Sequence, residues 1–246
     1  MGKVRVTFLG TGDAFCPAGL NQSAYLVQGK DTTILLDCGM TTLAAMKRYH
    51  IDPASVDAIV LSHFHGDHYG GLPSLLLQYK HLQPRKRPLI VAGPPGVEER
   101  CTHLCAEMYA DALQTLPFHI EYVEMEPGKQ HAVGLAQILA FQVPHTQFDL
   151  SLGVAIWLDD RKILYSGDSG WSEDLAAYTQ GADLFICECT FFSTQLATHI
   201  SYRHLAGVKD SLGARRILLT HLGEEVLAHR NDIQLEIAED GMQIEI

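Results

Sequence analysis

Residues 63–68 of the chain read HFHGDH and carry three imidazoles and one carboxylate. An apolar run precedes them at residues 58–61 and another follows at residues 72–77, which predicts a loop between a buried strand and a helix. Imidazole nitrogens and carboxylate oxygens are common ligands of Zn²⁺ and related divalent cations. Gly66 has no side chain and is expected to let the backbone turn tightly here. The segment therefore predicts a loop that binds metal.

Other ligand-type residues stand at the predicted ends of further strands, each directly after an apolar run. They are His145, Asp168 and His221. In layered α/β proteins, polar side chains at strand ends gather at one edge of the sheets. We therefore expect all three to meet the HFHGDH loop in space.

This set of ligands fits two metal ions. His63 and His65 are placed to face one ion, and Asp67 and His68 to face another. Asp168 offers two carboxylate oxygens for two ions, and the distant histidines would complete the two shells. Such a pair of cations lowers the pKa of a shared water, which gives a bridging hydroxide as nucleophile. We predict two divalent ions, Zn²⁺ first, with Mn²⁺ and Fe²⁺ left open because the same ligands suit all three.

Strand and helix signals alternate along the chain and predict an α/β protein with two packed sheets and helices outside. We predict a single domain over residues 1–246. The least regular stretch, residues 80–131, is a candidate substrate-facing lobe. At the C-terminus, Ile233–Ile237 and Met242–Ile246 predict a hairpin with its turn at residues 239–241.

The composition restricts the partners. The chain has 246 residues and a formal net charge of −11, so a stable complex with a nucleic acid is disfavoured. The short basic patch at residues 85–87 is expected to be a solvated loop. The N-terminus lacks the apolar core of a signal peptide, and no run approaches the ~18 apolar residues that span a bilayer. We expect a cytoplasmic protein that does not enter a membrane, with reduced cysteines.

The order and spacing of these ligands resemble the metallo-β-lactamase superfamily, whose signature is H-x-H-x-D-H followed by distant His, Asp and His. Residues 8–15 (FLGTGDAF) and 35–39 (LLDCG) match as well, so the resemblance covers essentially the whole chain. It implies a four-layer αβ/βα sandwich and a structural Asp37 that orients a ligand or the loop. It also implies that Asp67 hydrogen-bonds the nucleophile. We assign metal one to His63, His65 and His145, metal two to Asp67, His68 and His221, and the bridge to Asp168.

Differences between this chain and other branches of the superfamily disfavour several activities. His65 stands where flavodiiron oxygen reductases have Glu, which disfavours di-iron redox chemistry. Asp168 stands where the best-known zinc β-lactamases have Cys, which disfavours β-lactam hydrolysis. Glyoxalase II has a helical substrate domain after its last His ligand, whereas residues 222–246 predict a short helix and a hairpin, which disfavours thioester hydrolysis of that kind.

Residues 188–190 (ECT) and 198–201 (THIS) resemble the ribonuclease Z branch, in which a Glu pairs with a His that assists phosphodiester cleavage. A carboxylate bonded to His199 would fix its tautomer and favour its protonated form. A cationic His199 beside the metals can stabilise phosphoryl oxygens or protonate the leaving group. We therefore predict Glu188 and His199, together with Asp67, as catalytic residues.

The chain lacks the long basic, Gly-rich arm of ribonuclease Z enzymes that bind tRNA. We therefore predict a dinuclear metal-dependent phosphodiesterase for a small-molecule or short-oligonucleotide substrate. The alternatives left open are a lactonase or arylsulfatase-like ester hydrolase, a tRNA 3′-processing endonuclease, and a catalytically silent metal-binding module. A homodimer is expected on general grounds, because two-fold dimers are the commonest assembly.

Overall fold

The computed structural model describes residues 3–246. The strands are β1 (Arg5–Gly10), β2 (Ala24–Gln28), β3 (Thr33–Leu36), β4 (Ala58–Val60), β5 (Leu89–Gly93), β6 (Ile120–Glu124), β7 (Gln130–Val133), β8 (Ala136–Gln142), β9 (Leu152–Leu158), β10 (Arg161–Tyr165), β11 (Leu184–Glu188), β12 (Ile217–Thr220), β13 (Glu236–Ile237) and β14 (Gln243–Glu245). The helices are α1 (Thr42–Arg48), α2 (Gly66–Tyr69), α3 (Leu72–His81), α4 (Val97–Leu113), α5 (Glu173–Tyr178), α6 (Tyr202–Val208) and α7 (Glu224–Ala228).

The strands form two 7-stranded mixed sheets, in the orders β14-β1-β2-β3-β4-β5-β6 and β13-β12-β11-β10-β9-β8-β7. In the first sheet β3 to β6 are parallel, and in the second β10 to β13 are parallel. The other neighbours are antiparallel. Parallel neighbours need crossover connections, and these connections carry α1 to α7.

Successive side chains of a strand point to opposite faces of its sheet. The buried apolar residues therefore form one inner core between the sheets and two outer cores beneath the helices. Val6 and Phe8 of β1 pack with Ile138 of β8 and Ile186 of β11 between the sheets. The neighbouring Leu9 packs on the other face, under α1, α3 and α4. The outer face of the second sheet packs against α5, α6 and α7. Because both faces of each sheet are covered, the strands read as nearly continuous apolar runs, and the predicted four-layer αβ/βα sandwich of the metallo-β-lactamase fold is confirmed.

The predicted C-terminal hairpin is wrong. Residues 236–237 pair in parallel with β12, whereas residues 243–245 pair antiparallel with β1 in the other sheet. Each segment completes the open edge of a different sheet, and the turn between them crosses from sheet to sheet. Asp240 in that turn accepts hydrogen bonds from the backbone N–H groups of Thr11 and Asn21, so the crossing is tied to the loop after β1.

Residues 80–131 contribute β5, α4 and β6 to the first sheet and its helical layer, and then enter β7 of the second sheet. That this stretch forms a lobe facing substrate, and that residues 1–246 form a single domain, stay predictions; residues 1 and 2 lie outside the described part. Within residues 3–246, no helix has the length and apolar character needed to cross a membrane.

Candidate metal centre

Seven His and Asp side chains converge at the edge where β3, β4, β8, β10 and β12 end. Three sets can be formed in the described residues in which the ligand atoms lie within 4.8 Å of one another: one is Glu188, His199 and His221, and the other two contain the predicted metal ligands. Of these two, the first set is His63, His65, His145 and Asp168, and the second is Asp67, His68, Asp168 and His221. Asp168 belongs to both sets. The structure therefore brings together every residue predicted as a metal ligand, in the two predicted groups.

The distances among these side chains suit a cation. His68 Nε2 lies 3.2 Å from Asp168 Oδ1, and His221 Nε2 lies 3.2 Å from Asp168 Oδ2. His63 Nε2 and His145 Nε2 lie 3.9 and 3.7 Å from Asp168 Oδ2. Two ligands held about 2.0–2.1 Å from one tetrahedral ion are roughly 3.3 Å apart. The spacing therefore leaves room for an ion between the atoms of each set.

Three atoms at the centre are buried without a hydrogen-bond partner in the described residues: His63 Nε2, His68 Nε2 and Asp168 Oδ1. A buried polar atom without a partner costs about 1–3 kcal/mol. All three are ligand-type atoms: His63 belongs to the first set, His68 to the second and Asp168 to both. Divalent cations bound in the two sets would satisfy them, so the residues fit the metal that the fold implies.

In four of these histidines, the ring nitrogen that points away from the cluster contacts a group outside the cluster. His68 Nδ1 donates to Asp37 Oδ2 at 2.7 Å, and His145 Nδ1 to the carbonyl of Thr198 at 3.0 Å. His63 Nδ1 and His221 Nδ1 contact the hydroxyls of Ser62 and Thr190 at 3.0 and 2.9 Å. Such contacts fix the ring orientation and turn Nε2 towards a metal.

Asp37 is a fully buried anchor of the loop rather than a ligand. Its carboxylate accepts hydrogen bonds from the backbone N–H and hydroxyl of Ser62, from His68 Nδ1 and from the Tyr165 hydroxyl, at 2.6–2.8 Å. It therefore joins the end of β4, the helix α2 and the end of β10. This is the orienting position expected for Asp37 from the sequence.

Two site residues have left-handed backbones at the ends of their strands: Asp37 with φ 56° and His221 with φ 52°. A non-glycine residue in this conformation costs about 1–2 kcal/mol. Gly167, before Asp168, has φ 58°, and a Cβ there would lie 2.5 Å from the Leu152 carbonyl oxygen. These sharp turns at strand ends place the side chains of residues 37, 168 and 221 at the centre.

The expected role of Gly66 in a tight turn is wrong. Gly66 begins α2, and a Cβ there would meet only Met40 Cε, at 4.0 Å. The close approaches are at Gly39 and Gly71, where a Cβ would lie 2.4 Å from the Asp67 carbonyl oxygen and 2.2 Å from that of Gly39. Backbone packing of the LDCG segment against α2 thus places Asp67 and His68.

The charges at the centre are strongly coupled. Burial opposes ionisation of Asp168, yet the imidazoles of His221 and His68 hold the pKa of its carboxyl well below its usual range. Burial also opposes charge on His221, but Asp168 and Asp67 raise its pKa to about 9. The carboxylates thus draw positive charge into a buried site. A divalent cation supplies that charge without the extra proton.

Glu188 and His199, predicted as a pair, lie side by side next to the metal centre. His199 Nδ1 is 2.9 Å from Glu188 Oε1, with Glu188 fully buried and the His199 side chain 18% exposed. Burial lowers the pKa of His199, but the hydrogen bond and charge of Glu188 outweigh it and raise that pKa. Cys187 and Cys189 pack in the outer core, as expected from alternation around Glu188. The Nδ1 contact leaves His199 Nε2 for a substrate.

The centre opens into a cavity of about 930 Å³. Besides the site residues, its walls include aromatic and aliphatic side chains and three carboxylates: Phe15, Phe191, Leu196, Asp13, Glu224 and Glu225. Asp13, in the loop after β1, lines the cavity, whereas the Asn21 side chain of the same loop donates to the Leu9 carbonyl. No motif in the sequence predicted that Glu225 or these apolar side chains would line the cavity.

The remaining histidines enter none of the candidate metal clusters in the described residues. They are His50, His81, His103, His119, His131, His204 and His229.

Comparisons with known proteins agree with this geometry. Ribonuclease Z of Methanothermobacter thermautotrophicus is 27% identical over 286 aligned residues, covering 96% of this chain and 91% of the relative. The crystal structure of the short form of human tRNase Z is 26% identical, with a TM-score of 0.81 over 98% of each chain. The metallo-β-lactamase fold protein YhfI of Bacillus subtilis is 24% identical, with a TM-score of 0.81 over 100% of each chain. The ribonuclease Z-like resemblance is confirmed.

A family model described as anti-Pycsar protein Apyc1 matches residues 4–242. That match spans nearly the whole chain, including every residue of the two ligand sets and the Glu188–His199 pair. The protein is thus a hydrolase of the metallo-β-lactamase fold, and it belongs to the Apyc1 anti-Pycsar family.

Proposed function

We propose that the protein is a dinuclear metal-dependent phosphodiesterase that acts on a small phosphodiester. The observation that carries this proposal is the position of His199 and its buried partner Glu188 beside two ligand sets that share Asp168. The ligand sets support hydrolysis in general. The His–Glu pair favours a reaction in which negative charge develops on phosphoryl and leaving-group oxygens.

Two divalent cations, which we propose to be Zn²⁺, would activate a shared water and offset the charge on the phosphoryl oxygens. His63, His65 and His145 would hold one cation, Asp67, His68 and His221 the other, and Asp168 both. Asp67 additionally offers a carboxylate oxygen to the attacking water and orients it. His199 Nε2 carries the proton that is donated to the leaving oxygen, and Glu188 keeps the imidazole charged and in place.

The charge of the walls supports a small substrate with few phosphates. Asp13, Glu224 and Glu225 line the cavity, and carboxylates repel every phosphate beyond the one held at the metals. The basic patch does not offset them. Arg85 is 4% exposed and donates to the carbonyls of Val56, Arg87 and Pro88, while Arg87 pairs with Asp57. Those guanidinium groups are engaged within the fold, which argues against a long nucleic-acid partner.

A tRNA 3′-processing endonuclease is the second candidate, because ribonuclease Z proteins are among the relatives that match nearly the whole chain. A panel with equal amounts of metal-loaded protein separates the candidates: an aryl phosphodiester, an aryl sulfate, a lactone and a pre-tRNA. We expect the aryl phosphodiester to be turned over fastest. Faster turnover of the sulfate or lactone would refute the phosphodiesterase, and efficient cleavage of pre-tRNA would refute the small substrate. Turnover of none of the four would favour a silent metal-binding module.

Substitutions of predicted metal ligands test whether turnover depends on the metal centre. His65→Ala and Asp168→Ala should each abolish turnover and lower the bound metal, because each removes a ligand. His103→Ala is the matched control, since His103 is exposed on α4 and lies outside both ligand sets. Near-normal turnover by either ligand variant would contradict the assignment.

We also propose a homodimer, on the general ground that two-fold dimers are the commonest assembly of soluble proteins. Light scattering on the purified protein should give twice the 27.2 kDa mass of the chain. A monomeric mass would refute the proposal.

A further inference from the structure

The hydroxyl of Thr190 lies among three side chains that belong to different parts of the site. Thr190 Oγ1 is 2.9 Å from His221 Nδ1, 3.0 Å from Glu188 Oε2 and 3.2 Å from His199 Nδ1. Thr190 is 6% exposed, so water offers it few other partners. A predicted metal ligand and the predicted catalytic pair therefore meet at one hydroxyl.

The arrangement of protons follows from what each group can donate. A hydroxyl has one proton and a carboxylate has none, so the Thr190 hydroxyl donates to Glu188 Oε2. His221 Nδ1 then donates to Thr190 Oγ1, so a neutral His221 ring turns its unprotonated Nε2 towards the carboxylates of Asp67 and Asp168. His199 Nδ1 donates to Glu188 Oε1. The network is therefore compatible with a cation at His221 Nε2, because the proton that His221 donates to Thr190 is on Nδ1.

Backbone contacts fix the network further. Glu188 Oε2 also accepts from the Thr190 backbone N–H at 3.1 Å, and Oε1 accepts from that of Ser169 at 3.0 Å. Glu188 thus has two donors on each oxygen. Thr190 provides both donors on Oε2, one from its backbone and one from its side chain, so its hydroxyl helps to hold the carboxylate in place.

We propose that Thr190 is a positioning residue that links the metal ligand His221 to the His199–Glu188 pair. It holds the tautomer of His221 that presents Nε2 to a cation, and it holds Glu188 in the orientation that His199 needs. The role in metal binding depends only on the ligand set, whereas the role in turnover rests on the proposed phosphodiesterase.

Two substitutions isolate the hydroxyl. Thr190→Val keeps the shape and removes the hydroxyl, while Thr190→Ser keeps the hydroxyl. Thr7→Val is the matched control, because Thr7 is fully buried in β1 and its Oγ1 has no hydrogen-bond partner in the described residues. Loss of a contact to the outer nitrogen of a metal-bound histidine typically costs 10–100-fold in metal affinity.

Metal affinity is measured first, by competition of Zn²⁺ between the protein and a chromophoric chelator. We expect Thr190→Val to weaken the more weakly held Zn²⁺ by roughly 10–100-fold, with Thr190→Ser and Thr7→Val close to wild type. Wild-type affinity in Thr190→Val would overturn the metal half of the proposal. Because no substrate is used, this result stands whether or not the protein is a phosphodiesterase.

Turnover is measured next, at saturating Zn²⁺ on the best substrate of the panel. We expect Thr190→Val to lower kcat with little change in KM, and its effect to be smaller in a His199→Ala background, because both changes act through one network. Additive losses would overturn the link to His199. If Thr190→Val does not fold, ¹⁵N NMR of the histidine rings of the Zn²⁺-loaded wild type decides: Nδ1–H on His221 supports the proposal, and an unprotonated Nδ1 refutes it.

Discussion

Replacing Glu188 by Gln tests the site most informatively, because the change removes one charge and almost no volume. Each oxygen of Glu188 accepts two hydrogen bonds, Oε1 from Ser169 and His199 and Oε2 from the backbone and hydroxyl of Thr190. An amide has one oxygen and one NH₂ group. Whichever way it turns, the NH₂ faces the backbone N–H of either Ser169 or Thr190, and that buried N–H loses its acceptor.

The magnitude follows from this count. One orphaned buried N–H costs about 1–3 kcal/mol, and the remaining bonds lose the assistance of the charge, which roughly doubles the strength of a hydrogen bond. We expect the free energy of unfolding to fall by about 2–4 kcal/mol. His199 also loses the anion that raises its pKa. Its contribution as a general acid is of order 10²–10⁴-fold, so kcat should fall by roughly 100-fold or more.

The assay combines urea unfolding with steady-state kinetics on two aryl phosphodiesters, one with a good and one with a poor leaving group. Glu99→Gln is the control, since Glu99 is exposed in α4. A lost general acid harms a poor leaving group more, so the fall in kcat should be larger for that substrate. The reasoning is refuted if Glu188→Gln matches Glu99→Gln in both stability and turnover.

Further predictions concern the parts that hold the site in place. Asp37→Asn should lower Zn²⁺ affinity by roughly 10–100-fold, because the amide cannot accept all the donors around it; chelator competition measures this, and unchanged affinity would refute it. Gly71→Ala should prevent soluble expression or lower Tm sharply, since its Cβ would lie 2.2 Å from the Gly39 carbonyl oxygen; a wild-type Tm would contradict it. Hydrogen bonds from Ser193 and Thr194 outweigh slight burial and lower the pKa of Glu225 to about 2. This stabilisation is complete above the ordinary carboxyl pKa and lost as pH falls from there towards 2, so the hydrogen-exchange protection factors of residues 193–194, corrected for the intrinsic pH dependence of exchange, should fall over that window, and not in Glu225→Gln.

The ligand set could be predicted from the sequence because each ligand directly follows an apolar strand. Chain order alone then places residues 63–68, 145, 168 and 221 at one edge of the sheets. The two-sheet architecture was predicted from the alternation of strand and helix signals along the chain. The pairing of Glu188 with His199 was predicted from the resemblance to one branch of the superfamily and from chemistry, and the geometry agrees with it.

The features that the sequence did not predict depend on strand register and on which segments pair with the edge strands of the two sheets. Thr190 meets His221 because β11 and β12 pair with Glu188 opposite Thr220, and no local pattern encodes that register. The last two strands were predicted to pair with each other because they are neighbours in the chain. They instead complete the open edges of different sheets, which local turn chemistry cannot predict. The cavity walls are surface loops without periodicity, so Phe191 and Leu196 carried no signal.

Metal stoichiometry tests the central claim most directly. The purified protein, loaded with Zn²⁺ and desalted, is analysed by elemental analysis and by anomalous diffraction at the zinc edge. Two ions per chain are predicted, both in contact with Asp168, one among His63, His65 and His145 and the other among Asp67, His68 and His221. A single ion per chain, or a second ion outside these side chains, would contradict the dinuclear centre.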